Sequence, residues 1–223
     1  TNVGYAIQKL ERQFFEVLVE LAQGDPSCVQ FVYADTSSGR PKSLPDGFER
    51  YCAVDTTDAS VTGQKLARLA YQERIDFALL FGVQPVHPIV TALREGGVRK
   101  IVCYWGAPIS AVRSPARLLF KKVQFSLARH RADGLIFESD AMANLAINGR
   151  GIPRSMIDVV QLGVDVEHWV PNRDCTHLQS LLGLHEGQKA FVFSGHCTPR
   201  KGIHTLIESA IEIAYRRRRT DEA

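Results

Sequence analysis

A short basic segment near the end of the chain carries the residues best suited to bind phosphate. Gly195 and His196 follow an apolar run, and Arg200, Lys201 and Gly202 stand at the start of an amphipathic stretch that predicts a helix. A cation beside the free N–H groups of a helix N-terminus stabilises an anion, and glycine allows close backbone approach. This arrangement would suit a phosphate group. The alternative is that Lys201 is an ordinary solvated residue.

A second group of candidate residues follows the ends of predicted strands, where parallel sheets bind ligands. The group comprises Tyr104, Trp105, Gly106, Glu138, Ser139 and His87. Trp105 could stack against a sugar or cap the core. Ser139 also suits the N-cap of the next helix, and His87 suits an ordinary loop residue, so these two have a structural alternative.

The elements that would position these residues alternate between helix and strand. Helices are predicted over Tyr5 to Ala22, Val61 to Glu73, Pro88 to Glu95, Pro115 to Arg129, Asp140 to Asn148, Thr176 to Leu182 and Lys201 to Tyr215. Strands are predicted over Cys28 to Ala34, Tyr51 to Asp55, Phe77 to Gly82, Lys100 to Trp105, Gly134 to Glu138, Ile157 to Leu162 and Lys189 to Ser194. Short, almost continuously apolar strands indicate a parallel sheet with helices on both faces. We therefore expect a doubly wound α/β fold.

The pattern of elements indicates two domains. Residues 1–163 form a Rossmann-like domain that enters a helix at once, so we expect its first strand to be missing. Residues 164–223 hold a polar linker and one clear strand, which is too little to bury a parallel sheet. We expect this part to be the beginning of a second, incomplete Rossmann-like domain.

Composition excludes several classes of protein. The chain has 223 residues, 45% of them hydrophobic, and a mean hydropathy of -0.10, which suits a globular protein. Its first ten residues lack the charged start and long apolar stretch of a signal peptide, and no apolar run reaches about 20 residues, so we expect a cytoplasmic location. The five cysteines lack metal-ligand spacing and favour buried free thiols. A net charge of +3 gives no reason to expect nucleic acid as a partner.

Three stretches together resemble one enzyme family. They are VVQLGVDVEHWVP (159–171), VFSGHCTPRKGIHTLIESA (192–210) and ADGLIFESDAMA (132–143), with Asn2, Val3 and Gly4 as a weaker fourth. They are similar, in this order, to segments of the retaining glycosyltransferases of family 4, which have the two-domain GT-B fold. The resemblance covers most of residues 132–210 and identifies the chain as a fragment of such a transferase.

The resemblance implies roles for the basic segment. Lys201 and Gly202 match the phosphate-contacting Lys-Gly of the family, and Gly195 precedes His196 where relatives carry Arg. His196, whose charge at neutral pH is unsettled, would then share the catalytic role with Lys201 and the neighbouring Arg200. Cations and helix termini would stabilise the phosphates, so neither a metal ion nor another cofactor is expected. The family's glutamate pair for the donor sugar has no counterpart in the sequence.

Further residues follow from the same resemblance. Gly4 would lie in the glycine-containing loop that faces the cleft, and Tyr104, Trp105 and Gly106 would belong to the acceptor side, where many relatives have His near Trp105. The implied partners are a nucleotide sugar and a saccharide or lipid-linked acceptor. The implied activity is hexosyltransferase-like and belongs to carbohydrate biosynthesis.

Two alternatives to a transferase remain. One is a non-catalytic sugar- or nucleotide-binding fragment or regulatory subunit, which the missing glutamate pair and His196 favour. The other is a nucleotide-sugar epimerase of the same two-domain fold, to which the Gly-Val-Asp and Lys-Gly motifs are a poorer match.

A basic amphipathic stretch, residues 113–131, has two interpretations. In the first, the helix packs its apolar face on the sheet and shows Lys and Arg to water. In the second, it lies on an anionic membrane, and the protein is peripheral at the inner membrane surface. The first needs no partner, and we take it as the prediction.

Overall fold

Helices and strands alternate along the chain in the computed structural model. It describes residues 5–37, 39–54, 58–107, 109, 114–167, 170, 176–185, 188, 191–195 and 197–221. By their internal contacts, the residues divide into two units, Thr1–Gly163 and Val164–Ala223. Each unit is described by itself below.

The first unit contains five helices and six strands among its described residues. The helices are α1 (Tyr5–Leu21), α2 (Ala59–Gln72), α3 (Pro88–Glu95), α4 (Pro115–Leu127) and α5 (Asp140–Arg150). The strands are β1 (Phe31–Tyr33), β2 (Tyr51–Ala53), β3 (Phe77–Phe81), β4 (Lys100–Trp105), β5 (Gly134–Phe137) and β6 (Ile157–Val159). The predicted order is confirmed in this unit, although β1, β2 and β6 are shorter than predicted. Side-chain caps from Asp58 and Ser114 begin α2 and α4.

The strands form two parallel sheets. One has four strands in the order β3-β4-β5-β6, and the other is the pair β1-β2. Among the described residues no hydrogen bond joins the two sheets, because β1 pairs only with β2 and β3 only with β4. The α/β character and the parallel strands are confirmed, whereas the single continuous sheet of the prediction is not found in the described residues.

Helices cover both faces of the four-stranded sheet. Ile101, Cys103, Leu135 and Phe137 are fully buried and share one core with the buried residues of α2, α3, α4 and α5. Side chains alternate across a strand, so Tyr104 points to the opposite face from Cys103. There the Phe14 ring of α1 lies 5.0 Å from the Tyr104 ring. Helix α1 therefore packs on the face opposite to the other four helices.

The cysteines differ from the prediction of buried thiols. Among the four that the structure describes, Cys103 is buried, Cys52 is intermediate, and Cys28 and Cys197 are exposed; all four are free. Burial raises the pKa of the Cys103 thiol to about 12. Among the described cysteines, only Cys103 is therefore the buried free thiol that the sequence predicted.

Small residues let α2 and α3 approach closely. A Cβ atom added to Gly96, which ends α3, would lie 2.5 Å from the Ala67 carbonyl oxygen and 2.9 Å from the Ala70 Cβ. A Cβ added to Gly63 would lie 3.5 Å from the Ala92 Cβ, an ordinary contact distance. Gly96 has a φ of -74°, which any residue adopts. Its requirement for glycine is therefore one of space and not of backbone conformation.

A carboxylate network joins α3 to the beginnings of β4 and β5. The Ile101 N–H and the Arg94 guanidinium both donate to Asp133 Oδ2 at 2.6 Å. Arg94 also donates to the carbonyl oxygens of Val98 and Arg131. Partial burial acts to raise the pKa of Asp133, but these donors outweigh it and hold the pKa below its ordinary value of 3.8.

The second unit is dominated by helices. It contains α6 (Thr176–Leu182), a 3-10 turn (Pro199–Lys201) and α7 (Ile203–Asp221). The predicted strand over 189–194 is wrong for its described part, residues 191–194, where Phe191 and Val192 are 76% and 84% exposed. A strand without a partner cannot form ladder hydrogen bonds. None of the residues whose burial the structure describes in this unit is buried.

We predict opposite effects for two glycine substitutions on the α2–α3 contact. Gly96→Ala forces the two helices apart and should lower the free energy of unfolding by about 1–3 kcal/mol. Gly63→Ala should leave it unchanged or raise it by up to about 1 kcal/mol, because alanine favours a helix interior and finds room there. Urea denaturation followed by circular dichroism measures both. Equal effects of the two substitutions would contradict the close approach at Gly96.

We also predict that Asp133→Asn lowers the free energy of unfolding by about 1–2 kcal/mol at neutral pH, through loss of charge-assisted hydrogen bonds. The pKa of Asp133 is depressed in the folded state, so its contribution is present above pH 3.8 and is lost as the pH falls through the folded-state pKa. The difference in the free energy of unfolding between wild type and Asp133→Asn should therefore shrink as the pH falls through this pKa. Asp76→Asn is the control, since the Asp76–Arg99 pair is 69% and 78% exposed and should contribute less than about 1 kcal/mol.

Candidate functional site

A hydrogen-bonded tyrosine and glutamate lie where β4 and β5 end. The parallel register sets Trp105 opposite Phe137, so Tyr104 lies within β4 and Glu138 directly follows β5. The Tyr104 hydroxyl donates to Glu138 Oε1. Tyr104 is 4% exposed, and Glu138 is half-buried. The carboxyl ends of neighbouring parallel strands therefore bring together two residues that are 34 positions apart.

The pair keeps the tyrosine protonated. Burial raises the pKa of Tyr104, and the hydrogen bond to Glu138 and the charge of Glu138 raise it further. Tyr104 therefore donates a hydrogen bond to the carboxylate and does not act as a base near neutral pH. The other oxygen, Glu138 Oε2, has no hydrogen-bond partner among the described residues and can accept from the hydroxyl group of a ligand.

Trp105 and Gly106 follow Tyr104 at the end of β4. A Cβ on Gly106 would lie 2.7 Å from Glu138 Oε1, so glycine leaves room for the carboxylate. The Trp105 Nε1 atom is buried and has no hydrogen-bond partner in the part of the chain that the structure describes. A buried donor without a partner costs free energy and is a candidate contact for a ligand oxygen. Side chains alternate along β4, so the Trp105 indole lies on the face of the helix-covered core, opposite to the Tyr104–Glu138 pair.

Helix α1 fixes the tyrosine ring. Phe14 contacts Tyr104 and also Phe81, whose ring centroid lies 4.9 Å from that of Phe14 in an edge-to-face arrangement. The sequence marked Phe14 only as one apolar position of a helix. Nothing in the local pattern indicates that this position touches the candidate site, because the contact joins residues that are distant in sequence.

The remaining candidates of this unit act as helix caps. The Ser139 hydroxyl accepts a hydrogen bond from the Met142 N–H at the start of α5. His87 is the N-cap of α3, where its Nδ1 atom accepts from the Ile89 N–H at 3.2 Å. His87 also lines a shallow groove between α2 and α3 that does not include the Tyr104–Glu138 pair. The capping role of Ser139 agrees with the alternative that the sequence raised, whereas His87 was expected as an ordinary loop residue and caps α3.

The phosphate-binding candidates of the second unit lie on an exposed turn. Lys201 ends the 3-10 turn, and Gly202 follows with a left-handed φ of 76°, so α7 begins at Ile203 and not at Lys201 as predicted. Lys201, Gly202 and Gly195 are exposed, and Gly195 has a φ of 151°. His196, Gly4 and the side chain of Arg200 lie outside the described residues.

Comparison with known proteins does not assign the site. The sequence matches no protein-family model and has no significant similarity to a curated protein. Among the described residues, none of the groups of His, Cys, Asp and Glu is arranged to hold a metal ion. No described helix is both long and apolar enough to cross a membrane.

We predict an unusual titration for Tyr104. The difference in phenolate absorbance between wild type and Tyr104→Phe should be absent at pH 10.0, where an ordinary tyrosine is half ionised. Glu138→Gln should lower the pKa of Tyr104, because it removes the acceptor and its charge while burial remains. A phenolate difference signal at pH 10 in the folded wild type would show that the pair does not form.

Proposed function

We propose that the chain takes part in glycosyl transfer with retention of configuration, from a nucleotide sugar to a saccharide or lipid-linked acceptor. The observation that carries the proposal is the Tyr104–Glu138 pair at the carboxyl ends of parallel strands. Ligands of open α/β sheets bind at this edge. The similarity of residues 132–210 to family 4 transferases supplies the reaction class, and the proposal assigns the chain to the GT-B fold on the same basis.

In this proposal the strand-end residues bind the acceptor. Sugars present hydroxyl groups that donate and accept, together with an apolar ring face. Glu138 Oε2 would accept from an acceptor hydroxyl, and Gly106 would keep the approach to the carboxylate open. Tyr104 would hold the carboxylate in place through its hydrogen bond.

Lys201 and Gly202 would bind the donor. In the reaction the bond between the anomeric carbon and the phosphate oxygen breaks, and a bond to the acceptor oxygen forms. The nucleoside diphosphate leaves as an anion, and its departing phosphate oxygen takes the proton that the acceptor hydroxyl loses. Lys201 stabilises this departing charge, and the first N–H groups of α7 follow directly after Gly202. This chemistry uses side-chain and backbone donors that the chain itself supplies.

We predict that Lys201 contributes to nucleotide-sugar binding. Titration of the chain with a panel of uridine, guanosine and adenosine diphosphate sugars, followed by calorimetry, should detect at least one ligand. Lys201→Ala should weaken its binding about tenfold, or about 1.4 kcal/mol. Lys65→Ala is the matched control, because Lys65 is an exposed lysine on α2 and should not change the affinity.

The acceptor side has its own test. Product analysis of the bound nucleotide sugar with a panel of glycans and lipid-linked sugars should show transfer. Glu138→Gln should lower transfer at least tenfold, because a neutral amide binds the acceptor hydroxyl less strongly than a carboxylate does, while slow hydrolysis of the donor is unchanged. Binding without transfer or hydrolysis would favour the non-catalytic alternative, and absence of binding to every nucleotide sugar would contradict the proposal.

A further inference from the structure

Helix α4 exposes large apolar side chains. Leu119 and Phe120 are each 64% exposed, Val123 is 46% exposed and Leu127 is 78% exposed. On the same helix only Phe125 is buried. The sequence predicted that the apolar residues of this helix pack on the sheet and that Lys and Arg face water. The structure contradicts that prediction for these four residues.

The exposed apolar residues form a single face. At about 100° per residue, Leu119, Phe120, Val123 and Leu127 fall within an arc of about 100°. Phe125 lies about half a turn from the centre of that arc, so the helix packs on the unit through one side and presents the four residues on the other. We call these four residues the outer face of α4. Contiguous exposed apolar surface of this kind marks an interaction site.

Cations flank the outer face. Arg117 and Lys122 lie about 110° to either side of the centre of the outer face, Lys121 lies near the Phe125 side of α4, Arg129 and Arg131 follow the helix, and all five are exposed. Residues 114–131 contain no Asp or Glu. The Lys121 Nζ atom donates to Gln124, and the Arg131 guanidinium lies 5.4 Å from the Phe125 ring centroid, so none of these charges is neutralised by a carboxylate within the segment.

We propose that the outer face of α4 docks on an anionic lipid bilayer. Apolar side chains on one side of a helix and flanking cations are the combination that places a helix in the plane of the interface. The cations complement acidic headgroups, and the apolar side chains enter the boundary of the acyl chains. A second copy of the chain is a poorer occupant, because it would bring a second row of cations against the first. The proposal rests on α4 alone and not on the proposed transferase activity.

Flotation with lipid vesicles tests the docking. The full chain should float with vesicles of phosphatidylcholine and phosphatidylglycerol at about 0.1 M salt, should not float with phosphatidylcholine alone, and should bind more weakly at about 0.5 M salt. Phe120→Gln with Leu127→Gln should lower the partition coefficient at least tenfold. Arg117→Gln with Lys122→Gln should lower it about tenfold to thirtyfold.

Matched variants separate the outer face from total charge and hydrophobicity. Lys65→Gln with Arg68→Gln removes two exposed cations from α2, and Leu21→Gln removes an apolar side chain that is 66% exposed on α1. Neither should change partitioning, and circular dichroism should show that all variants remain folded. Because the substituted α4 residues are exposed, their loss should not prevent folding.

A fluorescent reporter gives an independent measurement. The Phe120→Trp variant should show a blue-shifted difference emission, relative to wild type, that lipids brominated in their acyl chains quench when anionic vesicles are present. Equal flotation of wild type and the α4 variants, or an unquenched reporter in floated Phe120→Trp protein, would overturn the proposal. So would sedimentation showing that the chain forms a dimer that Phe120→Gln with Leu127→Gln abolishes.

Discussion

The parallel register between β4 and β5 is the constraint on which the candidate site depends. Side chains alternate across each strand, so a slip of one residue would move Tyr104 to the helix-covered face and separate it from Glu138. The other end of the same two strands fixes this register. There Asp133 accepts from the Ile101 N–H and from Arg94, and the Asp133 N–H donates to the Ile101 carbonyl oxygen. A structural carboxylate at the amino end of the strands thus sets the position of the candidate carboxylate, Glu138, at the carboxyl end.

The two faces of the sheet serve different purposes. The face of Cys103, Leu135 and Phe137 is sealed by four helices and supplies the apolar burial that holds the unit together. The opposite face carries Tyr104, whose ring packs against Phe14 of α1 and the neighbouring Phe81. An aromatic ring can exclude water from a buried tyrosine without offering its hydroxyl a competing partner. The aromatic packing therefore leaves Glu138 as the acceptor of the Tyr104 hydrogen bond.

Local patterns predicted the elements well, because helix periods, caps and short apolar runs are properties of the nearby sequence. The bounds of α3, β4 and α6 agree with their predicted ranges to the residue. The wrong predictions concern which segments pack or pair with one another in the folded chain. An apolar run at 191–194 lacks the neighbouring strand that would make it β-structure, and the apolar residues of α4 were assigned to a core that only Phe125 enters. The Tyr104–Glu138 hydrogen bond joins the ends of two strands that are distant in sequence. The sequence therefore placed both residues at the carboxyl ends of strands but did not predict that they pair.

The candidate residues at the strand ends and those around Lys201 differ in their exposure to solvent. The Tyr104 side chain is buried, and its hydrogen bond holds the Glu138 carboxylate in place before a ligand binds. Lys201 is exposed, and salt at about 0.1 M screens an exposed charge over a distance of about 10 Å. In the proposed donor site, phosphate binding would therefore depend on backbone N–H groups at the start of α7 as much as on the charge of Lys201, because those dipoles are held in place by the helix and the ammonium group is not. The preorganised part of the proposed site is the acceptor side.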